Sequence, residues 1–359
     1  MKAHYWGVIL FLASTFVRLA PGAELRFAKE GVFLAGILIS CWSFGVGAIP
    51  KKFSIPFNIL SFLVFFNQFH PQIVSVYTQT VMFFCGLLLF ATAREFTLTE
   101  WRIWERYMVF LVIVHAGWGI CNHLGTDPWE WYKFKRILVL ADMDLKYSNL
   151  MVGPMHQPSM SAASLLGLLP FAGPYLLPIA LYALCLYNSS MCYLGLGVGI
   201  GYYIWRRKGL KVVGGLAILG TPIALYIFKK FPDLLFAGGR IGAWKAWAHW
   251  PMPISYKIHG FGLGYIYSVF GSKTFINGEY FRHLHNEFAE IYAAFGLIGV
   301  GCTVWLFMQI KDYKSKYFYA FLMLWINSLG NLTFHLSFTS MIMIFCYARI
   351  VHEQGEINA

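Results

Sequence analysis

Residues 286–309 read NEFAEIYAAFGLIGVGCTVWLFMQ. Beyond Glu290 the stretch carries no charge, and Lys311 follows two residues after it. A helix rises about 1.5 Å per residue, so a run of this length crosses the roughly 30 Å hydrocarbon core of a bilayer. Apolar stretches of the same kind recur at 5–20, 31–49, 55–69, 73–93, 107–124, 157–172, 175–187, 188–205, 212–228, 317–331 and 334–350. The expected fold is therefore all-α: a polytopic integral membrane helical bundle of about 12 transmembrane helices, forming a single membrane domain over residues 1–359.

Composition agrees. Of 359 residues 58% are hydrophobic and 12% charged, whereas an average soluble domain is about a quarter charged. A soluble enzyme and a disordered chain are both excluded. The net charge of +12 has no basic, polar domain behind it, so nucleic acid is not an expected partner. Anionic membrane lipids or a phosphate-bearing substrate fit better. The seven cysteines lie inside or at the ends of apolar spans without CxxC spacing, and read as small core residues. No A-x-A cleavage signal precedes Pro21, so the first span is expected to stay in the membrane.

Short cytoplasmic loops collect Lys and Arg. With a cytoplasmic N-terminus, Lys51-Lys52, the stretch Arg94 to Arg106, the cluster Arg206, Arg207, Lys208, Lys211, and the cluster Lys311, Lys314, Lys316 all fall on one side. That parity requires a hairpin at Gly173-Pro174. Two long polar segments, 125–160 and 229–285, are then external loops, the second carrying the candidate site.

Residues 282–299, RHLHNEFAEIYAAFGLIG, mark the passage from polar loop to span. With Asn286 at its cap, the helix would turn its free N–H groups and positive dipole end outward, where phosphate binds. The same field disfavours imidazolium and keeps His285 neutral, available as a base. A capping histidine without chemistry is the plainer alternative. From His285 the pattern is His, Asn286, nine residues, Gly296, two residues, Gly299. Upstream stand Gly238-Gly239-Arg240 with Trp244, then His259-Gly260-Phe261-Gly262-Leu263-Gly264, and further back MVGPMHQPSMSA at 151–162.

These segments resemble the H-[NSD]-x9-G-xx-[GTY], GR-x3-W and G-x-G-x-G motifs of the O-antigen ligases and O-antigen polymerases, in order and spacing over residues 150–310. The resemblance implies a GT-C-like membrane glycosyltransferase of lipopolysaccharide or surface polysaccharide biosynthesis, in the bacterial inner membrane. It would transfer a glycan, with inversion and without a metal or other cofactor, from an undecaprenyl-diphosphate carrier to an acceptor hydroxyl on the periplasmic side. The acceptor would be lipid A core or another lipid-linked repeat. By this resemblance His285 activates the acceptor and Arg240 holds the diphosphate, a role suited to a guanidinium. Family members carry a second arginine in an S-R-G segment. Here the matching stretch, Tyr187-Asn188-Ser189-Ser190-Met191, has no cation. Arg282, Lys257, Lys245 and Arg136 are the candidate replacements, with Arg282 nearest His285 in sequence. Arg206 to Leu210 fits the family's R-x3-L but falls on the cytoplasmic side of this topology.

The remaining features divide between function and structure. His156, before Pro158-Ser159, lines the site or starts a helix. Trp244, Trp247 and Trp250 anchor an interfacial helix or stack on sugar. Glu290 either orients His285 or the acceptor, or faces water. His283-x-His285 lacks the companions of a metal site. Asp142-x-Asp144 matches the DxD of nucleotide-sugar enzymes, but is placed outside. Gly195, Gly197, Gly199 and Gly201 read as helix packing. The alternatives of another class are a non-enzymatic lipid or solute transporter, which predicts broken helices and internal repeats, and an inactive family member.

Overall fold

The computed structural model describes residues 51–67, 74–93, 96–126, 158–215, 240–276, 279–280, 283–310, 314–331 and 337–357, with positions 217, 218, 220 and 222. The expected spans 5–20 and 31–49, nearly all of the 125–160 loop and most of span 212–228 lie outside them. So do Arg282, His156, Arg136, Asp142, Asp144, Gly238 and Gly239.

The described residues form a helical assembly of the all-α class: α1 (Lys51–Asn67), α2 (Val74–Ala93), α3 (Leu98–His123), α4 (Pro158–Leu168), α5 (Gly173–Tyr187), α6 (Ser190–Lys208), α7 (Arg240–Ala248), α8 (Ile254–His259), α9 (Glu287–Met308), α10 (Lys316–Asn327) and α11 (Ser337–Ile357), with short helical turns between some of them. The strands among them are one antiparallel pair, β1 (Phe275–Ile276) and β2 (Glu279–Tyr280), with Phe275 opposite Tyr280. Among the described residues α9 alone is long and apolar enough to cross a membrane. Ser159–Phe171, Gly173–Tyr187 and Thr339–Val351 are apolar but shorter.

Local chemistry sets several boundaries that hydropathy misplaces. α3 begins at Leu98, not 107, because Thr97 and Glu100 form a capping box: the Thr97 amide donates to Glu100 Oε2 at 2.7 Å, and the Glu100 amide to Thr97 Oγ1 at 3.5 Å. Reciprocal caps of this kind satisfy donors that the first turn leaves open. The chain turns at Gly173, whose φ of +65° is left-handed, and α5 packs back along α4 and α3. Phe171, before the turn, packs on Tyr317; Tyr187, at the far end of α5, donates to the His115 carbonyl at 2.8 Å.

Side-chain contacts bring the basic segments to one end of the bundle. Lys316 Nζ lies 2.7 Å from Glu105 Oε2, and Tyr317 donates to the same carboxylate. Trp305 Nε1 donates to the Lys52 carbonyl at 3.0 Å. Arg207 lies over the Tyr203 ring, which packs against Tyr319. The opposite end holds the start of α9, the end of α10 and the start of α6.

The interior and surface are divided in an unusual way. Trp101, Trp104, Met108, Leu166, Leu324 and Phe345 form the centre of the core, with Trp104 stacked on Phe345 at 4.0 Å. A Cβ at Gly195 would stand 2.7 Å from the Met323 carbonyl oxygen, and one at Gly199 would strike the Met323 side chain. Those two glycines let α6 and α10 approach closely, while Gly197 and Gly201 face open space. Ser161, Ser164, Asn327, Ser328 and Thr339 are buried, while Phe62, Phe110, Ile113 and Leu297 are at least half exposed. A few polar groups thus sit within an otherwise apolar core, and several large apolar side chains face outward.

Candidate active site

The site is built where the segment that follows α7 returns to α9. α9 consists of two helical segments that meet at a kink at Gly296, where the backbone is non-helical, with φ 62° and ψ −158°. The break withdraws helical partners from the carbonyls of Ala293 and Ala294. The loop after α8 supplies new ones: the Phe261 amide donates to Ala293 at 2.8 Å and the Gly262 amide to Ala294 at 3.0 Å. Gly260, Gly262 and Gly264 all have positive φ, a conformation that glycine adopts without steric cost. A Cβ at Gly260 would lie 2.3 Å from the Ala294 carbonyl, and one at Gly296 would lie 2.3 Å from the Ile258 carbonyl oxygen. The two glycine motifs, separate in sequence, are therefore one backbone-to-backbone junction.

Aromatic side chains seal this junction. Phe261 is stacked between Tyr256 at 4.5 Å and Tyr265 at 3.9 Å. Trp247 and Trp250 both meet Phe270 edge-on, beside Ile266, Leu284 and Ala293. Trp247 and Trp250 thus pack against the interior of this segment, each part-buried. Trp244 adds a directed bond to its packing, since its Nε1 donates to the Leu284 carbonyl at 2.6 Å.

His285 is one of two described non-glycine residues with positive φ, at 51°. Left-handed backbone costs such a residue of order 1 kcal/mol or more and clusters at functional sites. Its neighbours hold it there. Leu284, fully buried, gives its carbonyl to Trp244 and its amide to Glu290 Oε1 at 2.7 Å. Asn286 caps α9, its Oδ1 accepting from the Ala289 amide at 3.1 Å. Asn286→Ala is expected to cost about 1 kcal/mol, read as a lowered Tm of the detergent-purified chain; an unchanged Tm would mean that the junction alone holds the turn.

Two expectations are sharpened here. The sequence makes Glu290 a candidate to orient His285 or the acceptor, or to face water; in the structure it is buried, its carboxylate accepting from the Leu284 amide with His283 Nδ1 3.7 Å away. It braces the turn that presents His285. The start of α9 is also expected, from sequence, to offer free N–H groups to phosphate. Instead, the Glu287 amide donates to the Ser328 carbonyl at 3.0 Å, and Ala289 is taken by Asn286. Glu287 and Glu290, both buried in that first turn, further offset its positive end.

Arg240 opens α7. Its Nη2 donates to Asn331 Oδ1 at 3.5 Å, Asn331 Nδ2 donates to Asn327 Oδ1 at 2.9 Å, and Cys192 Sγ donates to the same oxygen at 3.4 Å. Partial burial lowers the Arg240 pKa from its usual value, yet a guanidinium stays charged. Two tethers bring Arg240 and His285 to the same end: Trp244 joins α7 to Leu284, and Ser328 joins α10 to Glu287. The cation-free stretch 187–191 also belongs here, since a Cβ at Gly330 would strike Met191. Of the other candidate cations, Lys245 and Lys257 are exposed. Among the described residues no group of three or more His, Cys, Asp or Glu side chains is arranged to hold a metal ion.

Glu287 and the Asn327–Asn331 pair are the site residues that sequence reasoning missed. Asn327 and Asn331 stand four apart in sequence, the first ending α10 and the second in the turn just beyond it. Comparisons with protein-family models, with curated proteins and with solved structures find no match.

Proposed function

We propose that this chain is a membrane glycosyltransferase that moves a glycan from undecaprenyl diphosphate to an acceptor hydroxyl at the periplasmic face of the bacterial inner membrane. The reading rests on the resemblance to the O-antigen ligases and polymerases. The observation that carries it is that the three motif segments gather around the first half of α9: Trp244, one turn after Arg240, donates to Leu284 beside His285-Asn286, and the 260–264 loop bonds Ala293 and Ala294 next to Gly296. A bilayer setting is supported by the large apolar side chains on the exterior and by the basic segments gathered at the end opposite the site; the count of about twelve spans rests on the hydropathy of the sequence.

In the proposed reaction the acceptor hydroxyl gives its proton to His285 as its oxygen attacks the anomeric carbon. The bond from that carbon to the diphosphate oxygen breaks with inversion, and its electron pair leaves with undecaprenyl diphosphate. Arg240 stabilises the charge gathering on that leaving group, and His285 later returns its proton to water. The carrier's polyprenyl tail stays in the bilayer throughout. The transporter alternative expects a broken helix with backbone carbonyls open to an ion or solute. α9 is broken, but the freed carbonyls of Ala293 and Ala294 are occupied by loop amides.

The test is transfer by the purified chain without added metal, from a radiolabelled undecaprenyl-diphosphate glycan to lipid A core and, separately, to a second lipid-linked repeat. Label on the core identifies a ligase, and a ladder on the carrier a polymerase. Arg240→Gln is expected to lower the rate about 10²- to 10³-fold. A folded chain that transfers to neither acceptor, or an Arg240→Gln protein with the parental rate, overturns the proposal.

A further inference from the structure

The end of the bundle remote from His285 has a cavity of its own. It holds about 200 Å³ and opens between α3, the turn before α5 and the start of α10, lined by Arg102, Glu105, Arg106, Val109, Phe171 and Lys316. Three of its six lining residues are cations and one is a carboxylate. That carboxylate is already engaged: Glu105 accepts from Tyr317 and lies 2.7 Å from Lys316 Nζ. Lys316 is held further by the Phe171 and Tyr317 rings, each with its centroid 5.7 Å away. Burial raises the Glu105 pKa, but the bonds to Lys316 and Tyr317 outweigh it and keep the carboxyl below its ordinary value. It is therefore ionised and paired at neutral pH.

Arg102 and Arg106 remain. They stand one helical turn apart on α3, where like charges repel. Both are exposed, and among the described residues neither has an ion-pair partner. A helix keeps two adjacent guanidiniums beside a cavity at a cost unless an anion joins them. Guanidinium matches the geometry of phosphate oxygens, and basic pockets between helices bind phospholipid head groups. The floor is apolar: Phe171 is buried and Val109 half-buried.

We propose that this cavity binds a phosphate group, with Arg102 and Arg106 on its oxygens and Lys316, fixed by Glu105, at its edge. Two sources share that chemistry, an anionic phospholipid head group and free phosphate. The site is separate from the transfer reaction and does not depend on it.

The test uses the full chain in detergent. Native mass spectrometry reads retention of dioctanoyl phosphatidylglycerol against dioctanoyl phosphatidylcholine, and phosphorus NMR reads titration with inorganic phosphate. R102Q/R106Q is expected to weaken binding about tenfold or more. R206Q/R207Q removes the same charge at the same end, outside the cavity, and is expected to leave binding within about twofold. Retention of phosphatidylglycerol sensitive to R102Q/R106Q alone assigns the site to a lipid; saturable inorganic phosphate binding with that sensitivity assigns it to the free anion. Equal loss in both double variants means diffuse charge, and no binding of either probe means no site. Each of these two results overturns the proposal.

Discussion

His285→Asn should abolish most transfer while leaving the fold intact. Asparagine tolerates the left-handed backbone found at this position, so the turn between Leu284 and Asn286 is kept and only the imidazole is lost. A general base contributes about 10²- to 10⁴-fold, and a loss in that range is expected in the rate at saturating acceptor, with an unchanged Tm. His285→Ala should show the same kinetic loss with an added fall in Tm, because alanine strains at φ 51°. The pair separates chemistry from architecture. If the asparagine variant works within about threefold of the parent, His285 is a structural corner and the base must be sought elsewhere in the site.

Gly296→Val should be the most damaging single change for the fold. The new Cβ would lie 2.3 Å from the Ile258 carbonyl oxygen and 2.7 Å from the Gly260 amide nitrogen. Neither neighbour is a side chain that can rotate away. Valine is also forced to φ 62°, where a β-branched residue is a true outlier. The combined cost is expected to exceed about 4 kcal/mol, a range reached only by a few severe mechanisms. In practice the chain should lose its monodisperse peak in detergent or unfold far below the parent. Gly197→Ala is the matched control: nothing stands within 4 Å of its Cβ, and alanine is the better helix former. Comparable thermal stability of Gly296→Val and Gly197→Ala would disprove the clamp.

Much of the architecture is legible in the sequence because helix formation in apolar runs is a local matter. α9 is expected at 286–309 and is found at Glu287–Met308, and the reversal demanded by charge parity lies at Gly173. Where boundaries differ, the cause is a signal that hydropathy does not carry. The Thr97–Glu100 capping box extends α3 through a charged turn, and α11 runs on past its apolar stretch to Ile357. The site is half legible. Residue types and spacing point to His285, Asn286 and Arg240, and contacts place these at one end. Spacing does not show that Gly260 and Gly296 press together, nor that Ser328 and Asn286 occupy the amides expected to cradle phosphate. Those are long-range events, decided by which carbonyl a distant loop happens to reach. The Glu290 carboxylate illustrates the same limit: its position one turn into α9 is correct, but its partner, the Leu284 amide, depends on the shape of the preceding turn.

The amides of Phe261 and Gly262 complete the hydrogen bonding of a helix to which they do not belong. By connectivity 260–264 is a loop; mechanically it is a rung of α9. Swinging it outward would strand two carbonyls and two amides in apolar surroundings, at several kcal/mol for each unsatisfied group. This segment is consequently no door. Under the proposed function a lipid-borne substrate would therefore enter from another flank, such as the rim where Arg240 and Asn331 are joined by a bond of 3.5 Å.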